Sequence, residues 1–138
     1  TFIADIISTY SIGPSHAILG GFSQGGGITY RFGLERPDIF CGLIALSSIP
    51  LDEEIVHPFL PPKRDQQIFI AHGSLDKMLS VGLAYRTRNF LIEEGYSPIF
   101  REYPMGHEIR PEVLSDLIPW IHDVLPPGPT LQASNQQE

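Results

Sequence analysis

The stretch GFSQG, Gly21–Gly25, constrains this chain more than any other. Glycines stand two residues before and two residues after Ser23, the spacing needed where a chain reverses sharply from a strand into a helix. Such a reversal crowds side chains at the flanking positions. It holds the central residue in a sparsely populated conformation and projects its hydroxyl above the sheet edge, at the positive end of the helix that follows. The flanks agree. His16–Gly20 is a short apolar run ending in glycine, which reads as a buried strand. Gly26–Leu34 carries Ile28 and Phe32 four residues apart and stops before Pro37, which reads as a helix. A simpler role for Ser23, the N-cap of that helix, stays open at this level.

The remaining pattern extends the alternation. Thr1–Tyr10 places Phe2, Ile3, Ile6, Ile7 and Tyr10 at helical spacing. Cys41–Leu46, Gln67–Gly73 and the segment SPIFREYP at 97–104 read as strands. Ser80–Glu94 reads as a helix closed by Gly95, and Glu112–Leu125 as a last amphipathic helix with a kink at Pro119. The Pro-rich stretch PLDEEIVHPFLPPKRD, 50–65, reads as an irregular surface excursion. Helices alternating with strands predict an α/β domain, a mostly parallel sheet of about four strands covered on both faces. That domain fills 1–125. The Pro-rich polar segment 126–138 has almost nothing to bury and is expected to be a flexible tail.

Composition removes several function classes. With 42% hydrophobic and 18% charged residues among 138, the chain can bury the core of one domain but not of two. Nine Lys plus Arg against a net charge of −7, with no basic run, give nucleic-acid binding no electrostatic support. No apolar segment approaches the roughly 20 residues of a membrane span. The N-terminus has neither a basic leader nor a small-residue cleavage site, and no signal peptide is expected. The single cysteine, Cys41, is read as a small buried hydrophobe. No H-x-x-x-H, H-E-x-x-H or phosphate-binding glycine motif is present, so no metal or cofactor is expected.

A serine hydroxyl is a weak nucleophile and needs a base, which in turn needs an orienting acid. In open parallel sheets such groups gather beyond the carboxyl ends of strands. Asp76 lies three residues past the strand 67–73, and His107 three residues past the strand 97–104. The order Ser23, Asp76, His107 is the one expected when a triad is built on such a sheet. Asp76 could instead cap the helix that starts near Ser80, and His107 could be a surface loop residue. His72, at the end of its strand, is expected to support the Asp76 turn. His16 lies at the opposite end of the sheet, His57 in the excursion and His122 near the end of the last helix.

The segments LGGFSQGG, AHGSLDKMLS, GLAYRTRNFLIEEGY and YPMGHEIRPEVLSDLIPWI closely resemble the phospholipase/carboxylesterase family of α/β-hydrolases, which includes the acyl-protein thioesterases. The resemblance runs from Thr1 to about Leu125. It implies Ser23 as nucleophile, Asp76 as acid and His107 as base, with the backbone N–H of Gln24 as one oxyanion donor. It also implies a cofactor-free serine ester hydrolase acting on small-molecule esters or thioesters with small or medium acyl chains, in a cytoplasmic setting. Phe22, Ser48, Ile49, Met78 and Leu79 adjoin the strand ends and are expected to line an acyl pocket.

This sequence departs from the family pattern in two ways. Gly27 stands where the family commonly has Ala, at about 1 kcal/mol in helix propensity. The N-terminal strands and the HG-x-G-like loop that supplies a second oxyanion donor are not in this sequence, so a truncated α/β-hydrolase is expected. Loss of one donor typically lowers turnover about 10²- to 10³-fold. An open edge on the nucleophile strand would need covering, which favours a homo-oligomer. Two alternatives remain: an impaired or inactive hydrolase fragment acting as an interaction module, and a serine peptidase domain of the prolyl-oligopeptidase type.

Overall fold

A computed structural model describes residues 2–125, and the tail expected at 126–138 lies outside them. The elements run α1 (Phe2–Tyr10), β1 (Ala17–Phe22), α2 (Gln24–Gly33), β2 (Phe40–Leu46), α3 (Glu53–Val56), a 3₁₀ turn (His57–Phe59), β3 (Gln67–Gly73), α4 (Val81–Glu93), β4 (Ile99–Tyr103) and α5 (Pro111–Val124). The four strands form one parallel sheet in the order β1-β2-β3-β4. The parallel sheet of four strands expected above is the one observed, with helices on both faces. Among the described residues β1 is an edge strand.

Period-two alternation sorts the strands' side chains between two cores. Leu43, Ala45, Ile68 and Ile70 meet Tyr30 of α2, Leu34 just after it, and Phe90 and Leu91 of α4. Ile44, Phe69, Ala71 and Tyr103 meet Val113 and Leu117 of α5 on the other face. Burial on both faces explains why β2 and β3 read as continuous apolar runs. The buried Gln66 amide ties the layers, donating to the carbonyls of Gly33 (2.8 Å) and Phe40 (2.9 Å). Helix α4 stops at Gly95, whose φ of 95° suits glycine; the N–H groups of Gly95 and Tyr96 close back on Ile92 and Leu91.

Several local expectations shift. The excursion 50–65 contains α3, capped by the Asp52 carboxylate, and a turn of 3₁₀ helix. Helix α2 begins at Gln24, directly after Ser23 and two residues earlier than its apolar spacing suggests, because Gln24 and Gly25 carry no apolar signal. α1 forms as expected but buries none of its residues. α5 runs on through Pro119. Cys41 is only half-buried, its thiol 3.4 Å from the Ala17 carbonyl, and burial pushes its pKa up.

The register fixes where chemistry can collect. Phe22, Leu46, Ala71 and Arg101 stand side by side across the sheet. The residues that follow β1, β2, β3 and β4 therefore emerge along one edge. The cores predict a graded response in urea denaturation. Leu43→Ala, at a fully buried position, is expected to lower stability by about 2 to 5 kcal/mol. Ile118→Ala, half exposed on α5, is expected to stay within about 0.5 kcal/mol.

Candidate active site

Ser23 sits between β1 and α2 with φ 57° and ψ −115°, a conformation an L-residue adopts only under constraint, at about 1–3 kcal/mol. Hydrogen bonds on both sides supply the constraint. The Ser23 N–H donates to Leu46 O (3.0 Å), and its carbonyl accepts from Gly26 N (3.1 Å) and Ile49 N (3.1 Å). A Cβ on Gly21 would overlap the Gly25 carbonyl, and one on Gly26 would overlap the Ser48 side chain. Gly25 differs from the expectation for this turn, since a Cβ there would meet nothing. The space denied to a side chain is at Gly21, and the Gly25 carbonyl is what fills it.

Ser23 holds the N-cap position of α2, yet its hydroxyl makes no capping hydrogen bond. Instead Ser23 Oγ lies 3.1 Å from His107 Nε2. On the far side of the ring, His107 Nδ1 lies 2.8 Å from Asp76 Oδ2. A carboxylate only accepts, so Nδ1 carries the proton, and Nε2 of the neutral ring is left to accept from the serine hydroxyl. Asp76 does not cap α4; Ser80 does, accepting from Gly82 N. The Asp76 carboxylate is fully buried, and its Oδ1 accepts from the N–H groups of Met78 (2.9 Å) and Leu79 (2.8 Å). Burial alone would push its pKa up. The Leu79 N–H, the His107 ring and the Met78 N–H outweigh that, and the carboxyl is held below the ordinary aspartate value.

The supporting groups are as specific. His72 is buried, with Nε2 2.7 Å from the Leu79 carbonyl and 3.5 Å from Asp76 Oδ2. Both neighbours are acceptors, so Nε2 carries the proton and braces the turn that feeds Asp76. Residues 73–75 are laced to the His107 loop: Ser74 N donates to Tyr103 O (2.8 Å) and Leu75 N to Met105 O (3.0 Å). A Cβ on Gly73 would overlap the Met105 carbonyl, so only glycine admits this approach. Ser47 was not singled out by the sequence. It is fully buried with φ 46°, and its hydroxyl donates to the Glu108 carbonyl at 3.2 Å, anchoring the residue after His107. Its only signal was position, the first residue after β2.

The five residues expected to line a pocket are dispersed. Phe22 packs its ring 4.9 Å from the His107 imidazole. Ser48 is buried beside Gly26 with its hydroxyl on the Ile49 carbonyl, and Met78 and Leu79 serve Asp76 through their backbone N–H groups. Ile49 lines a cleft of about 440 Å³ between α2 and α3, and that cleft also reaches Gln24. Gln24 opens α2, where first-turn N–H groups have no intrahelical acceptor. His16, at the amino end of β1, bonds locally to the Pro14 carbonyl, far from these groups in the strand direction. Among the described residues no cluster of His, Cys, Asp and Glu could hold a metal, and no helix is long and apolar enough to cross a membrane.

The sequence matches the phospholipase/carboxylesterase family over residues 3–125. The chain belongs to that family. An acyl-protein thioesterase 1 of Mycosarcoma maydis is 33% identical over 123 residues, covering 85% of this chain and 51% of its own length. One of Neurospora crassa is 37% identical over 114 residues, covering 79% and 46%. This member of the family therefore spans about half the length of these relatives. In fold it is similar to esterase PE8, with a TM-score of 0.81, 26% identity and coverage of 90% of this chain and 57% of that one. Arabidopsis thaliana SOBER1 gives 0.78, 28%, 90% and 60%.

The buried carboxylate predicts a pH signature. Its folded pKa is depressed, so the stabilisation is complete above the ordinary value near pH 4 and lost as the pH falls through the lowered one. The stability gap between the native chain and Asp76→Asn, measured by chemical denaturation, is expected to hold above the ordinary aspartate range and to narrow as the pH falls below about 4.

Proposed function

We propose that this chain hydrolyses carboxylic esters or thioesters with small to medium acyl groups through a covalent acyl-serine. The observation that carries the proposal is the unbroken relay from Asp76 through His107 to Ser23, with steps of 2.8 and 3.1 Å. Membership of the phospholipase/carboxylesterase family and likeness to proteins named as acyl-protein thioesterases and an esterase support it.

On this reading, His107 Nε2 takes the Ser23 proton as Oγ bonds to the substrate carbonyl carbon. The developing oxyanion is stabilised by the Gln24 N–H at the start of α2. The tetrahedral adduct collapses with cleavage of the C–O or C–S bond, and the imidazolium returns the proton to the departing alcohol or thiol. Water, deprotonated by the same nitrogen, then attacks the acyl-serine, releasing the carboxylic acid and restoring Ser23. Asp76 keeps the tautomer and stabilises the imidazolium, and Phe22 packs beside the ring. Among the described residues β1 pairs along one edge only, and a second copy of this chain is proposed to cover the other.

Fluorophosphonate labelling tests the chemistry directly. A covalent adduct is expected on the native chain and none on Ser23→Ala. With chromogenic short-chain esters, Asp76→Asn and His107→Asn are each expected to lose about 10³-fold or more. Absence of any Ser23-dependent adduct would favour the inactive interaction module, and preference for a proline-linked amide over esters would favour the peptidase. Sedimentation at micromolar concentration tests the second copy: a dimer or larger species is expected, and a monodisperse monomer would overturn it.

A further inference from the structure

One wall of the cleft beside Ser23 is a single face of α2, with Gln24, Gly27, Ile28 and Arg31 recurring at helical spacing. Ile49 packs against that face at Gly27, and the rest of the lining comes from Pro50, Asp52 and, on α3, Ile55 and Val56. The volume, about 440 Å³, lies within the range of small-molecule sites. From Gln24 to Arg31 the helix rises roughly 10 Å, a distance matched by an extended acyl chain of roughly eight carbons. The cleft is tied to the nucleophile through backbone, because the Ile49 N–H donates to the Ser23 carbonyl.

The direction of the chemistry assigns the cleft to one half of the substrate. His107 must return its proton to the leaving atom, so the alcohol or thiol departs on the side of His107 and Phe22. The retained acyl chain extends the other way, past Gln24, and there the cleft begins. This step rests on the reading of Ser23 as the nucleophile.

Gly27 sets the shape of that cleft. A Cβ at Gly27 would come within 2.5 Å of both Cγ1 and Cδ1 of Ile49. Cδ1 ends the Ile49 side chain and Cγ1 is one bond from its Cβ, so a methyl group at position 27 must turn the whole side chain about χ1, a rotamer change that leaves the backbone in place. It would drive Ile49 off the helix face and into the cleft. We propose that Gly27 is a specificity-determining position: its missing Cβ lets Ile49 lie flat against α2 and leaves room for an apolar acyl chain of medium length. The same close contact explains a glycine in a helix that the turn at Ser23 does not require.

Alkyl fluorophosphonates of increasing chain length test this, with the rate of Ser23 labelling as the readout. The native chain is expected to prefer chains near octyl over ethyl. In Gly27→Ala the octyl-to-ethyl rate ratio is expected to fall about tenfold, with the helix propensity gained by alanine set against the rotation forced on Ile49. Ile49→Ala is expected to move the preference toward longer chains, and Gly27→Ala with Ile49→Ala to recover the octyl rate. Those two variants decide the matter even if Gly27→Ala alone does not fold. Labelling that proceeds with a chain-length profile unmoved by both Gly27→Ala and Ile49→Ala would overturn the cleft assignment and leave the hydrolase reading standing. No Ser23-dependent labelling by any chain length would overturn both.

Discussion

The backbone of Ser23 is the constraint on which the site depends. A φ of 57° with ψ near −115° is unfavourable for an L-residue, and nothing local repays it, since the hydroxyl does not cap the helix it precedes. The conformation persists because three backbone hydrogen bonds, to Leu46, Gly26 and Ile49, fix both sides of the residue. Two of those partners belong to β2 and the residues just after it. The strained turn is thus held by the neighbouring strand, and the parallel pairing of β1 with β2 must form before Ser23 can be held in place. Strain at Ser23 and register across the sheet are one condition seen from two distances.

The same dependence governs the other two groups. Asp76 and His107 lie 31 residues apart in sequence, yet the segments that carry them form one body. Ser74 and Leu75 donate to carbonyls at 103 and 105, and Gly73 leaves the gap through which the Met105 carbonyl approaches. Ser47 adds a third strand end by holding the Glu108 carbonyl. A buried carboxylate is tolerable only when its oxygens are filled. Two N–H groups and the His107 imidazole around Asp76 meet that requirement. The relay is therefore rigid because the loops are joined by backbone, and the side chains inherit their geometry from it.

How much of this was legible follows from the range of the interactions. β3 appeared in the sequence with its observed limits, because a strand buried on both faces leaves a continuous apolar run. Ser23, Asp76 and His107 were legible as types at positions just past strands, which the parallel sheet turns into proximity. Ser47 and Gly73 were not. Their roles depend on carbonyls 61 and about 32 residues away, and neither residue type announces such a partner. The residues expected to line a pocket dispersed for a related reason. Position next to a strand end put Phe22, Met78 and Leu79 beside the relay, whereas of the five only Ile49 lines the cleft, whose other lining comes from α2 and from the stretch that holds α3. Four residues are too few to show a helical period, and the prolines around them read as a loop.

The glycines clustered around Ser23 divide by cause. Gly21 is demanded by the turn, because the Gly25 carbonyl occupies the place of its Cβ. Gly26 is demanded by packing, since Ser48 fills its missing side chain from the end of β2. Gly25 is demanded by neither: its Cβ would point into open space, so its side chain is absent without being excluded. Gly27 stands apart again, because its neighbour is the side chain of Ile49, which can turn, rather than backbone. A turn that must be rigid uses glycine against atoms that cannot shift, whereas a cleft that must have a certain width uses it against atoms that can. The first kind of substitution breaks the site, and the second reshapes what the site will accept.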